Sequence, residues 1–127
     1  MRSATPVASK PSSYYMPIKA LNTFSNDWVI KARVVKKAPV KTWTNAKSSG
    51  TLLNFDLVDK EGTMIQATAF NDAATKMDEL IENDAVFTFT NGMIKLANKR
   101  FTSIPNDFCL TFGKDAICER CAEDEEI

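Results

Sequence analysis

Histidine is absent from the 127 residues, which removes the commonest general base and the commonest metal ligand. Cysteine is scarce and odd in number: Cys109, Cys118 and Cys121. The start, Met1 to Ser13, has no apolar h-region of a secretory signal. A disulfide framework is therefore not expected, and reduced thiols of a cytosolic or nuclear chain fit better. The spacing Cys118-x-x-Cys121, with no histidine to join it, falls short of the ligand set of a structural zinc. Four glycines in all leave no phosphate-cradling loop. Without histidine nothing activates a serine, threonine or cysteine nucleophile. Asp56 and Asp59 fall on opposite faces of a strand and cannot act as a pair. No apolar run approaches the roughly 20 residues of a membrane span. The expectation is a chain that is not an enzyme, with no cofactor, no metal and no membrane partner.

Net charge is also missing, 16 basic residues against 16 acidic, but the charges are sorted along the chain. From Trp28 to Thr51 they are Lys31, Arg33, Lys36, Lys37, Lys41 and Lys47, with no acid. Asn91 to Pro105 carries Lys95, Lys99 and Arg100, again with no acid. The acids gather between Asp56 and Asp84 and in the tail from Glu119 to Glu126. Two basic segments separated by an acidic one make a basic groove on a neutral protein if the fold joins them.

Residues 1–16 are rich in Ser, Pro and Ala with no hydrophobic period, and read as a linker or flexible arm. Residues 17–114 read as one domain, and 115–127 as a short acidic extension that frays. Within the domain Trp28 to Lys36 alternates as a strand, with Ile30, Ala32 and Val34 on one face and Lys31 and Arg33 on the other. Thr42 to Gly50 reads as a long loop. Leu52 to Asp59 is a second strand, joined by the turn Asp59-Lys60-Glu61-Gly62 to a third, Met64 to Phe70. Ala73, Ala74, Met77, Leu80 and Ile81 then recur at helical spacing behind Asn71 and Asp72, which suit a helix start. Ala85 to Thr90 and Met93 to Ala97 read as a hairpin about Asn91-Gly92, and Phe101 to Ile104 as a last extended piece. Five short strands with one helix between the third and fourth predict an all-β fold, the five-stranded Greek-key barrel of the OB class.

The third strand is the most informative about function. Ile65, Ala67 and Ala69 share the face that suits a tight barrel interior, so Gln66, Thr68 and Phe70 face outward. Phe101 likewise faces outward beside Lys99, and Trp43 sits in Lys41-Thr42-Trp43-Thr44-Asn45, which offers a cation, two hydroxyls and an amide. Each ring could simply pack beneath a loop. Outward rings beside lysines also make a stacking platform for unpaired bases, worth about 1–3 kcal/mol per base. The helix, with Asp72, Asp78, Glu79 and Glu82, would repel the phosphates of a duplex. Single-stranded nucleic acid is the better expectation.

Several stretches resemble one family in unbroken order from about Pro17 to Thr111. They are Pro17-Ile18-Lys19-Ala20-Leu21, Trp28, Lys31-Ala32-Arg33-Val34, Lys41-Thr42-Trp43-Thr44-Asn45, Leu57-Val58-Asp59, Gln66-Ala67-Thr68-Ala69-Phe70-Asn71 and Lys95-Leu96-Ala97-Asn98-Lys99-Arg100-Phe101. The set is similar to the first central DNA-binding domain of the replication protein A large subunit. That resemblance implies an OB fold binding single-stranded DNA with little sequence preference. The groove would lie between the loop after the first strand and the loop after the fourth. It implies stacking on Phe70 and Phe101, Trp43 as the loop tryptophan, and contacts from Lys41, Thr44, Asn45, Lys47, Asn71, Lys95 and Lys99. Arg33, Thr42 and Gln66 complete the expected set. Gln66 stands where the family typically has Arg and Thr51 where Lys is common, which implies weaker binding with a shallower salt dependence. The parent would be a nuclear protein of replication, repair and recombination, this chain a fragment of it, and its partners the other subunits of a heterotrimer. Two alternatives stand beside this: a telomere-dedicated relative preferring G-rich strands, and an OB module that docks peptides in the same groove.

Overall fold

The computed structural model describes residues 15–100 and 102–127. The expected flexible arm, apart from its last two residues, and Phe101 lie outside the described residues. A 3-10 turn, Ile18–Ala20, leads into β1 (Val29–Lys37), β2 (Lys41–Thr44), β3 (Ser49–Val58) and β4 (Met64–Phe70). Then follow α1 (Asp72–Leu80), β5 (Val86–Thr90), β6 (Met93–Leu96), β7 (Phe108–Phe112) and β8 (Ile117–Arg120).

Alternation drives the architecture. Along β4 the burial alternates residue by residue, with Ile65, Ala67 and Ala69 fully inside. Opposite those alanines on β3 lie Phe55 and Leu53, and on β7 Leu110 and Phe112. Small side chains thus face large ones, which lets a narrow barrel fill without voids. Phe55, Phe89 and Phe112 form the centre, with ring centroids 5.6–6.3 Å apart. Asp59 is the one buried charged side chain among the described residues. Its carboxylate accepts from the N–H groups of Ile18 (2.7 Å), Glu61 (3.1 Å) and Thr63 (3.2 Å), tying the entry turn to the β3–β4 hairpin.

The five-stranded barrel with its helix after the third strand is present, but two of its strands are not those the sequence suggested. Asn91-Gly92 is no hairpin: β5 pairs with β1 and β6 pairs with β7. The two segments are halves of one bent strand that changes partner at the bend and so closes the barrel. Asn91 takes the left-handed φ of 62° there, which asparagine tolerates. A Cβ on Gly92 would lie 2.5 Å from Phe112 Cε1 and 3.1 Å from Trp28 Cη2. The glycine is there for close packing, not for a two-residue turn. The fifth strand is β7, which the sequence reading passed over. It runs parallel to β4, with Gln66 opposite Cys109 and Ala69 opposite Phe112. Thr102 to Ile104, read as extended, forms no strand.

At both ends of the barrel the structure departs from the sequence pattern. The presumed loop Thr42 to Gly50 is largely a hairpin arm, β2 pairing with the first half of β3. The presumed frayed tail is ordered: β8 pairs with β5, and the Cys121 N–H donates to the Val86 carbonyl at 2.9 Å. Beyond β8 the chain lies on β1. Arg33 donates to the Glu123 carboxylate and to the main-chain oxygens of Asp84, Asp124 and Ile127. Lys31 meets the Asp124 carboxylate at 3.2 Å. We call residues 117–127 the strap.

A Gly92→Ala variant should lose about 1–3 kcal/mol by denaturant unfolding, because the added methyl overpacks Phe112. An unchanged midpoint would mean that the bend accommodates a side chain. The strap should also loosen in acid. The Arg33 guanidinium holds the Glu123 carboxyl below its usual range. The Glu126 N–H and then Lys31 do the same for Asp124. With folded values lowered, the strap's stabilisation is present above the ordinary carboxylate range and is lost as pH falls through those lowered values. Hydrogen-exchange protection of the Cys121 amide should fall below about pH 4, ahead of that in β3 and β4.

Candidate nucleic-acid interface

Because paired residues on adjacent strands point to the same side of a sheet, the register defines the outer face row by row. One row runs Lys36, Asp56, Gln66, Cys109, Lys95 across β1, β3, β4, β7 and β6. The next holds Asn54, Thr68, Thr111 and Met93, with the Thr68 hydroxyl donating to Asn54 Oδ1 at 2.7 Å. A third holds Lys41, Leu52 and Phe70. Phe70 is partly exposed on this outer face, as its parity demands.

The hairpin arm rises at the Phe70 end. Trp43 pairs with Gly50, and its indole lies on that glycine, where a Cβ would sit 2.6 Å from Cζ2. The same Cβ would meet Asn71 Oδ1 at 2.6 Å, so Trp43 and Asn71 flank one spot beside Phe70. Asn71, at φ 54°, does not cap α1 with its side chain as its position suggested. Its Oδ1 accepts from the Thr51 N–H at 3.2 Å and locks the arm to the end of β4. At the tip, Asn45 Oδ1 accepts from the N–H groups of Lys47 (2.8 Å) and Ser48 (2.9 Å). This is an Asx-type turn that leaves Lys47 projecting and exposed. Lys41, Thr42 and Thr44 are exposed along the arm.

Across the face, Lys95 is exposed on β6. Lys99 lies in the loop beyond it and is partly spoken for, donating to the Asn106 carbonyl at 2.7 Å and standing 3.5 Å from Asp107. The structure therefore brings together Lys41, Thr42, Trp43, Thr44, Asn45, Lys47, Gln66, Phe70, Asn71 and Lys95 around one outer face, with Lys99 at its margin.

Arg33 is the exception. It is not in this group but bound by the strap, one row beyond Gln66. Nor are all lysines of the basic stretch available. Lys37 Nζ donates to the Asp78 and Ile81 carbonyls (2.7 and 3.1 Å), satisfying the C-terminal end of α1. Lys36, Lys41 and Lys47 remain.

Three groups on the face were missed by sequence reasoning. Cys109 lies between Gln66 and Lys95; its strand had not been recognised, so its parity could not be counted. Burial pushes its thiol pKa up against the pull of Lys95, so it is a neutral surface element. Asp56, opposite Gln66, stands in the same row. Burial raises its carboxyl, opposed by Lys36. Gly50 gave no signal, since its role is the space it leaves for Trp43. The Cys118 thiol is pushed up to about 12, mainly by burial, so at neutral pH it is protonated and a poor metal ligand. Among the described residues no cluster of metal-binding side chains occurs.

No family model matches the chain. It is 40% identical over 115 residues to the replication protein A 70 kDa DNA-binding subunit of Gallus gallus, covering 91% of this chain and 19% of that protein. This chain thus spans about one fifth of such a relative. It superposes on a replication protein A heterotrimer bound to single-stranded DNA with a TM-score of 0.83 and 30% identity, over 88% of this chain and 26% of that one. With DNA-binding domain A of Saccharomyces cerevisiae replication protein A the TM-score is 0.73 and the identity 33%, over 87% of this chain and 96% of that domain. The barrel is an OB fold.

A Gly50→Ala variant should displace the Trp43 indole. Its emission should shift against the constant background of Trp28, which is 4% exposed, while the far-ultraviolet circular dichroism stays the same. Unaltered emission would show that the indole does not rest on this glycine.

Proposed function

This chain belongs to the family of replication protein A large-subunit DNA-binding domains, and on that footing we propose that it binds single-stranded DNA without catalysing a reaction. The observation that carries the reading is the outer face itself. A partly exposed Phe70 stands between an arm bearing Lys41, Trp43 and Lys47 and a strand bearing Lys95. Unstacked bases would lie on Phe70, on Phe101 and against Trp43, each contact worth about 1–3 kcal/mol. Phosphates would be held by Lys41, Lys47, Lys95 and, at the margin, Lys99. Thr42, Thr44, Asn45, Gln66 and Asn71 would supply neutral hydrogen bonds to bases and sugars. Neither stacking nor amide contacts of this kind select one base strongly, so binding is largely independent of sequence.

With few cations on the face, affinity is modest and one barrel serves best as a module in a longer chain, where tandem barrels raise avidity through effective concentration. That parent chain would act in the nucleus, in replication, repair and recombination, with the other subunits of a replication protein A-like heterotrimer.

Fluorescence anisotropy with a labelled polypyrimidine strand, its duplex and a G-rich repeat, at two salt concentrations, tests this. The single strand should bind more tightly than the duplex and weaken with salt, with Phe70→Ala and Phe101→Ala each costing on the order of 1 kcal/mol or more. Equal binding of strand and duplex, with folded variants unaffected, would overturn the groove and favour the peptide-docking reading. A marked G-rich preference would favour the telomeric one.

A further inference from the structure

Lys31 and Arg33 form a built anion site that is already occupied, and the occupant belongs to the same chain. The Arg33 side chain is 16% exposed and makes its bidentate contact with the Glu123 carboxylate, besides donating to the main-chain oxygens of Asp84, Asp124 and Ile127. Lys31, 23% exposed, holds the Asp124 carboxylate at 3.2 Å and lies 5.8 Å over the Tyr15 ring. Tyr15, Lys31, Lys60 and Asp124 line a common cleft of about 490 Å³. An aromatic ring beside cations is the same chemistry that the outer face offers around Phe70.

This site is continuous with that face. Arg33 pairs with Val58, and Val58 with Met64, which stands two residues from Gln66 on the same side of β4. A strand crossing Gln66 therefore meets Arg33 next without leaving the sheet surface. The strap that bars the way carries Glu123-Asp124-Glu125-Glu126, a run of closely spaced anions like the phosphates of a nucleic acid. It grips β1 by ion pairs and by hydrogen bonds to main-chain oxygens, and the carboxylate of Glu123, 60% exposed, is the partner most open to screening by salt.

We propose that Lys31 and Arg33 are a second phosphate-binding site, held closed in cis by the acidic strap, which single-stranded DNA takes when the strap lifts, lengthening its footprint. The proposal rests on the single-stranded DNA reading above. In it the strap is a gate: short strands use the Phe70 face alone, whereas longer ones compete with Glu123 and Asp124 for the two cations.

The test compares wild type with Glu123→Gln/Asp124→Asn and, as a control of equal charge change, Glu79→Gln/Asp115→Asn, using a labelled polypyrimidine of ~16 nucleotides. The strap variant should bind more tightly than the control, and its plot of log K against log salt should steepen by about 0.7 for each phosphate gained. Adding Lys31→Gln/Arg33→Gln to it should return the slope to that of wild type. Should the strap variant melt early, hydrogen exchange on wild type replaces it. A strand of ~16 nucleotides, but not one of ~6, should lower protection of the Cys121 amide. A slope equal to the control's, or protection unchanged by the long strand, overturns the gate. Phe70→Ala run alongside separates the two readings. If it weakens wild-type binding while the strap variant matches the control, only the second site falls; if it changes nothing, the groove reading itself fails.

Discussion

The contact between Gly92 and the Phe112 ring is the constraint on which the rest of the structure depends. A residue without a Cβ lets β5 swing off β1 and run on as β6 beside β7 without overpacking the Phe112 ring. That swing closes the barrel, brings Phe89 against Phe55 and Phe112, and sets Trp28 against Phe112 beneath the bend. It also decides the outer surface. With β6 beside β7 and β7 beside β4, Lys95 joins the row of Gln66, and the face around Phe70 acquires its far wall.

A neutral chain can present a basic face because the cations of its basic stretch are sorted by what they touch, half of them engaged and half left exposed or partly exposed. Lys37 satisfies the last turn of α1, and Lys31 and Arg33 are matched by the strap. The acidic tail thus does not cancel the lysines of the groove; it is spent on a different pair. What remains at the groove is a short set of exposed lysines and several uncharged polar groups. On the proposed function, such a face gives modest, salt-sensitive binding rather than tight neutralisation of a long backbone.

Where the local pattern and the tertiary environment agree, the sequence was legible. The period-two alternation of β4 and its switch to helical spacing at Asp72 match the structure to the residue, and the outward direction of Phe70 follows from parity alone. Asn91-Gly92 misled because the same dipeptide serves a two-residue turn and a bend that needs close packing. Only the partners of the flanking strands tell them apart. β7 was missed although Phe108, Leu110 and Phe112 alternate, since its partner β4 lies some forty residues earlier and pairs in parallel, with no turn to announce it. β8 was hidden by its acidic surroundings. It is ordered because β5 has an edge to fill and Arg33 and Lys31 collect the carboxylates of Glu123 and Asp124.

By itself, then, the sequence determined the class of fold, the inward and outward sides of the main strands and the sorting of charge into basic and acidic stretches. These depend on local period and composition, which any segment carries within itself. Which cations stay free, which strand closes the barrel, where Trp43 rests and where the acidic tail lies were decided only by tertiary structure. Each depends on a partner distant in the chain, and no residue encodes its partner alone.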